Sequence, residues 1–393
     1  MKKLVLASAV SALAAGGAFA DDINIGVLLG FTGPIESITP FMADGADLAM
    51  SEVNDAGGIL GGTMVHGVRA DSSCIDSAVA QASAERLVTS DNVVAIMGAD
   101  CSGVTRAVLE NVAMANGIPM ISPSATSPGF SSFDSGGLFY RTAPSDARQG
   151  QVLSDILVRR GIMSVATTHT NNDYGLGLAT AFNAAFEAAG GTVTATVPHE
   201  EAKGDYSAEV GALASAGGEA LMVLGYVDGG GSMMRTSYDL GAFDQFFAGD
   251  GVYSEELLAN TGEASEGMVG TIPWATGDAA DLFVALYEAA GINGASSFVA
   301  ESYDASALIM LAAQAAGEAT PAGIAANILN VANAPGEIIY AGDLARGLQI
   351  LADGGEIDYQ GATNVELIGF GEASGSYREY VVQDGDFETV QFH

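Results

Sequence analysis

The chain has 393 residues, of which 48 are acidic and 13 are Lys or Arg, giving a formal net charge of −35. That balance repels nucleic acid and anionic lipid headgroups, so neither is expected as a partner. With 16% charged and 49% apolar residues, the composition excludes a disordered chain, and the length predicts two folded lobes.

Lys2 and Lys3 precede an uncharged apolar run over 4–15, and Ala18-Phe19-Ala20 supplies the small residues that a signal peptidase reads. This predicts a secretory signal peptide over 1–20, export to the periplasm and a mature chain starting at Asp21. The run is shorter than the ~20 apolar residues needed to cross a bilayer, so no direct membrane insertion is expected. No cysteine lies near the cut to carry a lipid.

Short β-branched runs then alternate with Ala-rich stretches of helical spacing. Strands are expected over 23–29, 63–70, 93–98 and 118–122, with helices over 43–56, 77–89 and 104–115 between them. After 139–142 the cycle restarts. Strands over 164–168, 192–197 and 220–224 alternate with helices over 149–159, 177–189, 207–216 and 232–240. Such alternation predicts α/β lobes with parallel sheets and helices on both faces. Ligands of parallel sheets bind beyond the carboxyl ends of the strands, where helix N-termini present free N–H groups, so the loops after each strand carry the functional argument.

Five such loops hold candidate residues. Residues 99–105 follow a strand and open a helix, and Ser102 there is placed to cap that helix or to hold an anion. Residues 122–128 put four hydroxyls between two prolines, so Ser124, Thr126 and the backbone around Ala125 form a donor-rich turn suited to a carboxylate. In residues 171–177, Gly175-x-Gly177 lacks the third glycine of a dinucleotide fingerprint, since Thr180 stands in its place. Tyr174 in that loop reads as an aromatic at the mouth of the second lobe. Tyr226 and Asp250 end the next strands, and Asp250 between glycines is an acceptor for an ammonium, with Asp228 and Glu301 the next acids to consider.

No GxSxG elbow, Walker loop or HExxH motif occurs, so the chain reads as a binding protein and not an enzyme. His66, His169, His199 and His393 are scattered without metal-ligand spacing, and neither metal nor cofactor is expected. Cys74 and Cys101 are the only two cysteines, and in an exported chain an even pair reads as one disulfide.

Taken in order, residues 26–34 (GVLLGFTGP), the cysteine pair, Cys101-Ser102, 121–128 (ISPSATSP), 139–144 (FYRTAP), 171–177 (NNDYGLG), Gly225-Tyr226, 267–273 (GMVGTIP) and Tyr303-Asp304-Ala305 resemble the type I periplasmic binding proteins. The resemblance is to the leucine/isoleucine/valine-binding family of amino-acid ABC transporters, and it runs over nearly the whole mature chain. It implies two Rossmann-like lobes joined by a three-segment hinge, near 142–145, 270–274 and 361–371. The lobes would comprise 21–142 with 272–360 and 143–271 with 361–393.

The resemblance further implies that Ser102, Ser124, Ala125 and Thr126 hold the carboxylate of a small aliphatic amino acid. Tyr174, Tyr226 and Asp250 would close on it from the other lobe. Asp250 takes the place of a family Glu. Phe31, Ile38 and Trp274 are the expected walls of the side-chain pocket. The implied partner is a membrane permease, and the expected state is a monomer. Other ligands of the same fold, a small amide, urea or an aromatic acid, and a sensing role remain as alternatives.

Overall fold

The protein is described by a computed structural model over residues 22–393. The expected signal peptide and the cut before Asp21 lie outside the described residues. Sixteen strands are seen among them: β1 (Ile23–Leu29), β2 (Val65–Asp71), β3 (Ala95–Gly98), β4 (Met120–Ser122), β5 (Phe139–Pro144), β6 (Ser164–Thr170), β7 (Thr192–His199), β8 (Ala220–Leu224), β9 (Phe246–Ala248), β10 (Val269–Pro273), β11 (Glu337–Tyr340), β12 (Ile357–Gly361), β13 (Leu367–Ile368), β14 (Glu372–Ala373), β15 (Tyr377–Gln383) and β16 (Asp386–Phe392). They form two seven-stranded sheets and one small pair, β11 with β12.

The first sheet has the order β13-β14-β5-β4-β3-β1-β2 and the second β16-β15-β10-β9-β8-β6-β7. Strands β1 to β5 are parallel, as are β6 to β10. The fully buried runs AIMG of β3 and ALMVL of β8 fit strands covered by helices on both faces. The sheets are not wholly parallel, however. The pairings β13–β14, β10–β15 and β15–β16 are antiparallel, and in β13–β14 and β15–β16 the connection is too short for a crossover.

In each sheet the strand order reverses once, between β1 and β3 in the first and between β6 and β8 in the second. Such a switch point opens a crevice at the strand ends. The two crevices face each other, and this fixes where the functional loops meet.

Helix boundaries depart from expectation where glycine or proline misled the reading. The first helix is Thr39–Asp55 and starts with Pro40 in its first turn, where a missing N–H is harmless. The helix Asp173–Ala188 begins at the Asn172 cap, whose side chain accepts the Gly175 N–H, so Gly175 and Gly177 lie inside it. A Cβ on Gly175 would meet the Thr170 carbonyl at 2.2 Å, so the glycine serves close packing. The helix Val227–Asp239 contains Gly229, Gly230 and Gly231, where a Cβ would meet the side chains of Glu201, Val252 and Leu257.

The second crossing follows β10. The third lies beyond its expected place at 361–371, since β13 and β14 still pair in the first sheet. The chain passes to the second sheet between Ala373 and Tyr377.

Candidate ligand-binding cleft

Asp100 anchors the first-lobe side. It is fully buried, and its carboxylate accepts the Gly30 N–H at 2.6 Å and the Ser72 hydroxyl at 2.7 Å. Burial pushes its carboxyl up from the usual range, and those donors oppose the shift. The ends of β1, β2 and β3 are thereby tied together, and the Cys74–Cys101 disulfide ties the last two again.

From this base the helix Ser102–Val108 starts, with Ser102 buried and its Oγ accepting the Ser127 N–H at 3.1 Å. Ser124 Oγ donates to the Asp100 carbonyl at 3.2 Å. The Ala125 N–H is already bonded to Ser122 Oγ at 2.9 Å. The Ala125 and Ser127 carbonyls both accept from Arg141 Nη1 at 2.9 Å, and Arg141 pairs with Glu372. The hydroxyl turn is thus rigid, and Ala125 acts as part of its frame.

Thr126 differs from its neighbours. Its hydroxyl is buried without a hydrogen-bond partner, while its carbonyl accepts the Asp146 N–H at 2.9 Å. Asp146 opens the helix Asp146–Arg159, and both its carboxyl oxygens are buried without a partner. Burial first, then the charge of Asp250, pushes Asp146 well above the usual carboxylate range, against the pull of Arg141. The sequence reading missed Asp146. The signal available was an acid at the first helical position after the first crossing, beside the cap Ser145.

On the second lobe Tyr174 follows β6 and Tyr226 follows β8, the two strands that flank the switch point. Their rings stack with centroids 5.2 Å apart. Tyr174 donates to Asp250 Oδ1, and Asn172 donates to the Tyr226 hydroxyl at 3.4 Å. Asp250 Oδ2 is buried without a partner. Burial raises the Asp250 carboxyl to about 6, with the Tyr174 hydrogen bond opposing.

Ser102, Ser124, Thr126, Tyr174, Tyr226 and Asp250 line one cavity between the lobes. Its apolar wall is Ile35, Ile38, Met42 and Phe298. Of the three expected pocket walls, only Ile38 is there. Phe31 lies aside, half-buried under the Arg69 guanidinium. Trp274 lines a neighbouring cavity, because Arg378 stacks on it at 4.2 Å and Ser376 bonds its backbone. Ile35, Ile38 and Met42 are spaced at three and four residues in the turn that leads into the first helix and in its first turn, a signal that was legible. Phe298 had none. Glu301 lines the neighbouring cavity too, and Asp228 is exposed.

The lobes touch across the cleft. Ser37 and Ser254 hydroxyls lie 3.2 Å apart, and Ser297 donates to the Tyr253 carbonyl at 3.5 Å. The cavity is therefore closed over, with hydroxyls on the first-lobe side, where the Gly30 N–H and Ser72 hydroxyl already serve Asp100, and Asp250 opposite. Among the described residues no group of three metal-ligating side chains occurs, and no helix is long and apolar enough to cross a membrane.

A family model described as periplasmic binding protein matches residues 22–342. The leucine-, isoleucine-, valine-, threonine- and alanine-binding protein of Pseudomonas aeruginosa is 30% identical over 328 residues, 83% of this chain and 87% of the relative. A leucine-binding protein from Thermotoga maritima superposes with a TM-score of 0.77 at 24% identity, over 94% of this chain and 98% of its own. A branched-chain amino-acid transporter substrate-binding protein from Streptococcus pneumoniae, solved with isoleucine, gives a TM-score of 0.77 at 23% identity, over 94% and 99%. The match along most of the chain, with the two facing switch points, shows that the chain belongs to the periplasmic binding protein family, among its type I leucine/isoleucine/valine-binding members.

Proposed function

We propose that this chain is the substrate-binding protein of an ABC transporter, that it holds a branched-chain or other aliphatic amino acid between its lobes, and that it hands it to a membrane permease. The observation that carries this reading is the polarity of the cavity. The buried Thr126 hydroxyl without a partner stands with Ser102 and Ser124 at a helix N-terminus, and the unpartnered Asp250 oxygen stands opposite. A carboxylate suits the first side and an ammonium the second. The wall of Ile35, Ile38, Met42 and Phe298 suits an aliphatic side chain. The names of the relatives support the same ligand class.

In this reading Ser102, Ser124 and Thr126 hold the carboxylate and Ala125 shapes their turn. Tyr174 and Tyr226 close the site, Asp250 takes the ammonium, and Asp146 supports it from behind Thr126. The segment 1–20 directs export, the protein works as a monomer in the periplasm, and it carries out no chemical step on its ligand. The lobes meet at three crossings, after β5, after β10 and between Ala373 and Tyr377.

A thermal-shift screen of the twenty amino acids, followed by calorimetry on the hits, tests the reading. Leucine, isoleucine or valine should bind with micromolar affinity, about −8 kcal/mol. Stabilisation by urea, an amide or an aromatic acid, with none by any amino acid, would sink it.

A further inference from the structure

Behind Phe298 lies a second cavity, walled by Ile272, Trp274, Phe283, Tyr287 and Phe298, with Glu301 among its lining residues. Phe298 lines this cavity and the ligand cavity alike, so its ring is the partition between them. Trp274 is a fixed wall, held by Arg378 and Ser376.

We infer that the cavity behind Phe298 is a second side-chain compartment of the cleft, one that takes an aromatic amino-acid side chain with a hydrogen-bonding tip, read by Glu301. The inference rests on the amino-acid reading of the cleft. It enlarges that reading, since a leucine side chain is satisfied on the near side of the partition.

Three observations carry it. First, Phe298 precedes the helix Val299–Ala316 as its cap, Glu301 lies in the first turn of that helix, and both line this one cavity. Second, Glu301 is only 5% exposed and lines this chamber, and no other side chain among the described residues bonds its carboxyl, whereas Asp304 one turn on takes Tyr359 and Thr363. Its own backbone N–H is the carboxyl's donor, so hydrogen-bonding capacity is left over for a ligand tip. Third, Phe298 sits at φ +63°, a region that bulky residues rarely adopt. The surrounding structure holds the ring at the partition against that preference.

The chemistry of the tip follows from the state of the acid. Burial, then the nearby Asp304 and Asp250 carboxylates, push Glu301 up to about 8. At neutral pH it is a neutral carboxylic acid with one O–H donor and one carbonyl acceptor. A phenol offers the matching acceptor and donor, and its ring suits walls of Trp274, Phe283 and Tyr287. The side chain reaches this chamber when the Phe298 ring turns aside about its first side-chain torsion.

The experiment is calorimetry at pH 7 on the whole mature protein with L-leucine, L-tyrosine, L-phenylalanine and O-methyl-L-tyrosine. Tyrosine should bind at least about tenfold tighter than phenylalanine and than its own methyl ether, because a site built to pair a hydroxyl rejects analogues that cannot complete the pair. Glu301→Leu should erase the preference, bringing tyrosine within about threefold of phenylalanine. Leucine bound but tyrosine not, equal affinities in the parent, or a preference that survives in folded Glu301→Leu would each overturn the inference and leave the amino-acid reading standing. If leucine and every other amino acid fail to bind, that reading falls and this inference falls with it. Should Glu301→Leu not fold, the comparison of tyrosine with its methyl ether in the parent decides alone.

Discussion

Tyr174 donates its phenolic hydrogen to Asp250 Oδ1 at 2.7 Å while accepting the Gly251 N–H at 3.1 Å. One hydroxyl thus fixes the acid and the backbone of the loop that carries it. The hydrogen bond favours the charged carboxylate, against the burial that disfavours it. Tyr174→Phe keeps the ring and its stacking on Tyr226 but removes that donor. Leucine affinity at pH 7 should fall about tenfold, the cost of leaving a buried acceptor unmade. Calorimetry on the variant checks this, and parent-like affinity would show that the hydroxyl does not tune the site.

The two ends of the ligand are separable by substitution. Asp250→Asn retains shape and removes charge, so leucine should bind at least about tenfold more weakly, as a charge-assisted bond contributes about 1.5–3 kcal/mol. Its des-amino analogue, 4-methylpentanoate, should be affected much less. Thr126→Val should weaken both, because both carry the carboxylate. If Asp250→Asn binds leucine as well as the parent does, the ammonium is held elsewhere, and Asp146 is then the acid to replace.

The pH dependence follows from the same carboxyl. An ammonium ligand favours ionised Asp250, whose carboxyl in the free protein titrates at about 6, raised by burial. Above that pH the acid is already ionised and leucine affinity should be flat. Below it, binding must displace a proton, so affinity should drop by up to about tenfold per pH unit. Calorimetry at pH 5 in two buffers of different ionisation enthalpy should reveal proton release. An affinity constant between pH 7.5 and 5 would contradict the role given to Asp250.

Both the alternation of strands and helices and the loops at strand ends were legible in the sequence, because periodicity and turn chemistry are local. Ser102, Ser124, Thr126, Tyr174, Tyr226 and Asp250 do meet around one cavity. Glycines were misread, since Gly175 packs on Thr170 at the end of the strand before it and Gly229 on the Glu201 side chain, contacts that only the folded chain makes. Asp146 and Phe298 were not found, since each matters through a neighbour that only the tertiary fold supplies. Trp274 was placed in the wrong chamber for the same reason: Arg378, over a hundred positions later, holds its ring. The third crossing was set too early because the two-residue strands β13 and β14 are too short to show a period.

The Cys74–Cys101 disulfide closes a loop with a sequence separation of 27 and joins the two loops that frame Asp100. On the chain-entropy model it should contribute roughly 3–4 kcal/mol. Replacing both cysteines by serine should lower the denaturation midpoint accordingly, with the denaturant slope little changed. Intact mass with and without reductant should differ by two hydrogens. Two free thiols in the exported protein would refute the bond.

Closure of the cleft depends on a single missing methyl group. Gly177 lies on the second-lobe helix Asp173–Ala188, and a Cβ there would stand 2.8 Å from Pro128 Cδ and 3.1 Å from Ser127 Oγ, both on the first lobe. The turn cannot easily retreat, because Ser102 holds the Ser127 N–H and Arg141 holds its carbonyl. Gly177→Ala should therefore oppose contact between the lobes at a cost of about 1–3 kcal/mol, typical of overpacking. An open form in which the lobes are apart has no such clash, so the cost falls on the closed state alone. A ligand drives closure only by its preference for the closed state, and that preference shrinks by the same amount. Leucine affinity should drop by about five- to 150-fold, with the melting temperature of the ligand-free protein little changed. Small-angle scattering with saturating leucine should show a smaller loss of radius of gyration in Gly177→Ala than in the parent. Parent-like affinity and parent-like compaction together would show that the lobes do not need this approach to hold the ligand.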